Sequence, residues 1–177
     1  LLIPCILIGS LSFGEIIRFQ EDVWIIFYPI LGQVSFIIFM ISALAEGNRI
    51  PFDLSEAESE LISGYTTEYS GIKFALFYLA EYVHLFGICV LGSIIFFGGP
   101  NGPFFSGNIM IVIKALLFFT LILFIRWSFF RIRIDQLLKF NWIKLIPLSF
   151  TGLLLACLVK YYMDFNLSLI HISEPTR

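Results

Sequence analysis

An all-α bundle of membrane-crossing helices is the fold class this sequence predicts, and three observations lead to it. Hydrophobic residues make up 59% of the 177 positions and charged residues 14%, where a soluble domain carries about 25% charge. The apolar residues gather into runs at 25–44, 73–97, 109–125 and 143–163, each near the roughly 20 residues that cross a bilayer. The charges collect between the runs. Only helices and closed barrels satisfy their backbone in lipid, and runs of this length make helices.

Taken in order, residues 1–13 form the tail of a fifth, truncated span. The chain opens inside an apolar run with neither an initiator Met nor a charged leading region, so a signal peptide is not expected. Residues 1–166 are expected to be the C-terminal part of a single multi-helix membrane domain. The span 25–44 leads into AEGNRIPFDLSEAESELISGYTTEYSG, which sets Glu46, Asp53, Glu56, Glu58, Glu60 and Glu68 against a lone base, Arg49. Ser55 and Glu58 have capping-box spacing and Gly64 supplies a stop, which predicts a short helix over 56–63. There Glu56 and Glu60 share a face and repel by a few tenths of a kcal/mol. Pro51 forces an extended entry. The expectation is an ordered acidic cap with Phe52, Leu61, Tyr65 and Tyr69 available to line something apolar.

The span 73–97 carries Glu81 and, three residues on and on the same helical face, His84. Ionisable groups at membrane depth are costly, which makes Glu81 a functional candidate, or a carboxyl hydrogen-bonded near the interface. GGPNGP then reads as a turn, and Lys114 in the span 109–125 either pairs with a carboxylate or snorkels to an interface. The loop 126–142 brings Arg126, Arg131, Arg133 and Lys139 against one acid, Asp135. Spans alternate sides, so this basic loop and the acidic one share a face. Lys and Arg stay inside, which puts both on the cytoplasmic or matrix side. Arg131 or Arg133 is therefore expected to approach a carboxylate of the acidic loop. The last eleven residues, LSLIHISEPTR (167–177), resemble the translation of a sequencing-library adaptor, and they are expected to be a non-native tail without function.

Several chemistries find no support. Cys5, Cys89 and Cys157 fall inside apolar runs without a CxxC pair, which argues against a zinc site or a disulfide framework. Glu81-x-x-His84 has di-iron spacing, but that site needs a second such pair and two more Glu residues. No metal site is expected. No phosphate loop and no Ser/His/Asp set can be assembled, so the chain is not expected to be catalytic alone.

LAEGNRIPFDLSEAESELISGYTTEYSG, followed by FALFYLAEYVHLF, resembles the subunit 1 family of respiratory complex I, the proton-pumping NADH:quinone oxidoreductase. RWSFFRIRIDQLLKFNWIKLIPLSF resembles that family's second signature. The likeness runs from about Gly9 to Pro147 and corresponds to the C-terminal part of the family's length. Gly47 stands where the family has Thr, and Phe130 stands where it has Pro, which puts the turn before Arg131 in doubt.

The resemblance implies a membrane subunit that forms the membrane end of the quinone chamber and couples quinone reduction to proton translocation. It implies Glu46, Arg49, Phe52 and Asp53 at the chamber. It further implies Glu56, Glu58, Glu60, Glu68, Glu81, Arg126, Arg131, Arg133 and Asp135 in the proton path and charge network. Quinone is then the substrate, and NADH, FMN and iron–sulfur clusters belong to partner subunits, with no cofactor bound by this chain. The implied partners are peripheral quinone-module subunits, adjacent membrane-arm subunits and lipid, with no nucleic acid. The implied location is the mitochondrial inner membrane, or the bacterial plasma membrane if the source is prokaryotic. Two other readings compete: the homologous membrane anchor of a membrane-bound hydrogenase, and an ion-coupled transporter with Glu81 as its proton site. The transporter reading is weakened by the lack of an internal repeat.

Overall fold

The computed structural model describes residues 1–21, 23–47, 49–52, 69–102 and 107–173. The expected helix over 56–63, and with it Asp53, Glu56, Glu58, Glu60 and Glu68, lies outside the described residues. Every regular element described is helical: α1 (Leu2–Ile8), α2 (Phe13–Phe19), a 3-10 turn (Ile25–Phe27), α3 (Leu31–Glu46), α4 (Ile72–Phe96), α5 (Asn108–Ser128), α6 (Ile134–Phe140), a π-helical segment (Asn141–Leu145) and α7 (Ile146–Ser173). Among the described residues three helices are long and apolar enough to cross a membrane, α4, α5 and the continuous stretch Ile134–Met163, and the count is up to 4 if the bent pair α1 and α2 is one span. The all-α membrane bundle stands.

Two expected spans are corrected. The run 1–13 is not one helix, because Gly9 adopts φ 84 and closes α1 by donating its N–H to the Cys5 carbonyl. A left-handed closing residue of this kind suits glycine. The chain then turns by 68° into α2. The run 25–44 is likewise not one helix. Pro29 has no N–H and drives the preceding Tyr28 into extended backbone (φ −62, ψ 124), as a residue before proline prefers. Ile30 follows with φ 64, and α3 begins only at Leu31. With 16 residues, α3 is about 24 Å long, shorter than a hydrocarbon core of about 30 Å. Gly32 makes the bend possible, since a Cβ there would lie 1.9 Å from the Ile25 carbonyl oxygen.

The expected basic loop 126–142 is also shorter than its sequence suggests. α5 continues through Ser128 and α6 starts at Ile134, running through the π-helical segment into α7. Loop residues lacking Pro or Gly simply continue the adjoining helices. Arg126 thus lies in the last turn of α5 and Asp135 in the first turn of α6, each placed favourably for the helix dipole.

The core lies between α3, α4 and α5. Phe36 meets Phe96, Phe97 and Phe118 edge to face at 5.4, 5.6 and 5.5 Å between ring centroids. Such offset geometries add about 0.5–1.5 kcal/mol per pair beyond burial. Gly92 lets the helices close up, because a Cβ there would come within 2.8 Å of Phe39. Small residues serve this purpose in membrane bundles, where tight packing replaces the missing hydrophobic drive. A smaller cluster of Ile3, Leu7, Leu31 and Ala156 ties α1 to α3 and α7.

A polar knot closes the end of the bundle away from the acidic loop. Gln20 is wholly buried. Its amide donates to the carbonyls of Ile16 and Ile94, and its oxygen accepts from the Ile25 and Gly98 N–H groups. Lys114 is buried beside it and donates to the carbonyls of Phe97, Gly99 and Asn101, with the Trp24 ring centroid 4.8 Å from Nζ. Of the two expectations for Lys114, pairing with a carboxylate does not occur among the described residues. The ammonium instead caps the C-terminal end of α4, where unpaired carbonyls favour a cation.

At the opposite end the two interhelical connections meet. The Ile132 N–H donates to the Pro51 carbonyl at 3.1 Å, so both lie on one side of the bundle, as the alternation of spans requires.

Candidate functional site

The site is built where α3 ends against α4. Beyond Glu46 the backbone stays tied to the helix: Gly47 N–H donates to the Ala43 carbonyl at 3.0 Å and Arg49 N–H to the Leu44 carbonyl at 3.2 Å. Phe52 N–H donates to the Arg49 carbonyl at 2.8 Å, and the Phe52 ring is buried in the core with Leu44 and Leu85. Gly47 faces Leu85, whose Cδ1 would be 3.1 Å from an added Cβ. This compact turn swings the Arg49 side chain inward, leaving that residue 5% exposed.

Arg49 Nη2 lies 3.8 Å from Glu81 Oε2. That is an ion pair, but it is beyond hydrogen-bonding length. Two unit charges at this separation attract by about 4 kcal/mol at an effective dielectric of about 20. Burying a guanidinium costs several kcal/mol, so the pair alone does not leave Arg49 strongly stabilised. Its Nε and Nη2 are buried with no hydrogen-bond partner among the described residues. Its Cζ lies 4.5 Å from the centroid of the Tyr82 ring. Beside this pair, His84 Nε2 lies 3.9 Å from Glu46 Oε1, with both side chains exposed; an exposed pair of this kind contributes about 0–1 kcal/mol.

Of the residues expected at the site, Glu46, Arg49, Phe52 and Glu81 are brought together here. The Glu81 side chain, 35% exposed, lies on α4 beside Arg49. Glu81 and His84 reach different partners, Arg49 and Glu46. Arg131 and Arg133 lie on the exposed connection before α6 and Asp135 in its first turn. The carboxylates of 53–68 that Arg131 or Arg133 is expected to approach lie outside the described residues. Among the described residues no ion pair involves Arg126, Arg133 or Asp135. The residue missed from sequence is Tyr82. Its signal was its place beside an intramembrane acid on the helix facing the lone base of the acidic segment.

Glu46 also borders a cleft of about 450 Å³ between α3 and the π-helical segment, lined by Ile41, Ser42, Asn141, Ile146 and Ser149 among others. Its volume falls in the range of small-molecule sites, and its wall mixes apolar surface with a few polar groups. π-helical turns are frequent at functional positions. The arrangement gives an amphipathic cleft, an exposed acid at its edge, and, one turn further along the chain, a buried guanidinium paired with the half-buried Glu81.

A sequence profile described as NADH dehydrogenase matches residues 1–157. The H subunits of NADH-quinone oxidoreductase from Bacillus cytotoxicus, Bacillus thuringiensis and Bacillus anthracis are each 46% identical over 159 residues, covering 88% of this chain and 47% of theirs. The chain therefore spans about half the length of the curated relatives it matches.

Proposed function

Since the chain belongs to the NADH dehydrogenase family, we propose that it works as a membrane subunit of a proton-pumping NADH:quinone oxidoreductase. In this reading it forms the membrane end of the quinone chamber and passes the consequences of quinone reduction into a proton path. The chain is a multi-pass membrane protein of a respiratory enzyme complex. The relatives named above are bacterial, which favours a plasma membrane over the mitochondrial location.

The observation that carries the proposal is the buried Arg49 held 3.8 Å from Glu81 at the root of the acidic segment. A charge pair within attraction but outside a hydrogen bond responds to a change of charge nearby, because little directional bonding must be broken for it to move. Quinone is the substrate. Its reduction takes up two electrons and two protons, and that uptake beside Glu46 and Arg49 supplies the change of charge. Glu81 then carries the disturbance along α4, and Arg126, Arg131, Arg133 and Asp135 supply the charges of the end of α5 and the connection into α6. NADH, FMN and iron–sulfur clusters reside on partner subunits of the electron-transfer arm, and adjacent membrane-arm subunits and lipid cover the outward faces of α4, α5 and α7. The likeness to NADH-quinone oxidoreductase proteins favours this reading over a hydrogenase anchor.

A chimera tests it. The C-terminal half of the matching Bacillus protein is replaced by residues 1–157 of this chain, and NADH:quinone activity is measured in membranes. Restored, proton-coupled activity is the expected result. A complex that assembles but reduces no quinone would overturn the reading.

A further inference from the structure

Arg49 poses a problem of orientation. A guanidinium is a flat fork that takes its direction from the hydrogen bonds it makes. Here Nε and Nη2 are buried without such partners among the described residues, and the Glu81 carboxylate at 3.8 Å attracts without directing. Among the contacts that Arg49 makes with described residues, the one with a defined geometry is that with the ring of Tyr82, 4.5 Å from Cζ, where the negative face of the aromatic ring attracts the cation. The distribution of exposure supports this. Tyr82 is 40% exposed while Arg49 is 5% exposed, so the ring stands between the charge and the surroundings.

We propose that Tyr82 is a positioning residue, whose ring face holds the buried Arg49 guanidinium in register with Glu81. This deepens the function proposed above and rests on it. Tyr82 and Glu81 are consecutive on α4, so one helix presents both the cation's counter-charge and its aromatic seat. Movement of α4 or of the turn at Gly47 then shifts both together. The phenolic hydroxyl has no part in this, because the attraction comes from the ring.

The test uses the assembled complex in membrane vesicles, with variants at position 82 read for NADH:quinone turnover and protons translocated per NADH. Tyr82→Phe keeps the ring and is expected to match wild type. Tyr82→Leu keeps apolar volume without the ring face and is expected to lower coupled turnover about two- to thirtyfold, the range of a single cation–π contact. A series of phenylalanines with increasing ring fluorination at position 82 keeps shape while draining the ring face, and is expected to lower coupled turnover step by step. The series also decides the matter if the Leu variant fails to assemble. Full turnover in the fluorinated series, or a Phe variant as impaired as Leu, would overturn the proposal. Loss of coupling on Glu81→Gln with no response to the fluorinated series would sink the role of Tyr82 alone. An unaffected Glu81→Gln complex would instead remove the reading on which that role depends.

Discussion

Arg49 is where the chemistry of single residues is most exposed to test. Its guanidinium is delocalised and planar and lies over a ring, whereas a lysine ammonium is a compact, strongly hydrated charge. Arg49→Lys is therefore expected to preserve assembly but lower NADH:quinone turnover in membranes by roughly tenfold, the equivalent of about 1.4 kcal/mol; wild-type turnover in the lysine variant would show that charge alone suffices. At this scale the sequence was partly legible. Glu46, Arg49, Phe52 and Glu81 stand out as a base among acids, an aromatic after a proline, and a carboxyl in an apolar run. The burial of Arg49 was not legible, because it depends on a turn tied to α3 by two backbone hydrogen bonds. Nor was Tyr82, since an aromatic in an apolar helix ordinarily means packing. Lys114 shows the same limit: its partners are backbone carbonyls of the connection after α4, and no side-chain pattern announces those.

Among the elements, hydrophobic runs foretold α4 and α5 well and α3 poorly. A run of apolar residues records what the environment is, while Pro29 and Gly9 decide where the backbone can remain helical. Gly32 is the sharpest case. An alanine Cβ would meet a backbone oxygen at 1.9 Å, which neither side can relieve by a rotamer change, so Gly32→Ala is expected to abolish assembly, read by native gel of solubilised membranes. Normal assembly would mean that the 3-10 turn at Ile25–Phe27 lies elsewhere. Lys114→Met keeps a long apolar stem but leaves three carbonyls at the end of α4 without their donor. Hydrogen bonds to charged groups are worth about 1.5–3 kcal/mol each, so the detergent-solubilised complex is expected to lose thermal stability, measured by aggregation temperature. An unchanged temperature would show that the knot around Gln20 holds without the lysine.

Across the whole molecule, charge placement gave the topology and the Ile132–Pro51 hydrogen bond agrees with it. Cysteines introduced at Tyr69 and Phe130, both exposed, are expected to react with an impermeant maleimide only from the cytoplasmic face, and one at Asn101 only from the opposite face. Labelling of the first two from opposite faces would contradict the topology. What remained illegible at this scale follows from the many apolar side chains that stay exposed on α4, α5 and α7. A membrane bundle buries such faces in lipid or in other subunits, and the same leucines and phenylalanines serve for both. The coupling role draws these scales together, from the Arg49–Glu81 pair to the helix that carries it and the complex that would use it. It rests on Glu81 being able to give up and regain a proton. Glu81→Gln keeps size and hydrogen-bonding capacity but removes that ability. In inverted membrane vesicles energised with NADH, the Gln variant is expected to assemble and bind quinone, yet lose most coupled turnover and proton uptake. Wild-type quinone reduction with a full proton gradient would contradict the role given to Glu81 and leave it a structural partner of Arg49.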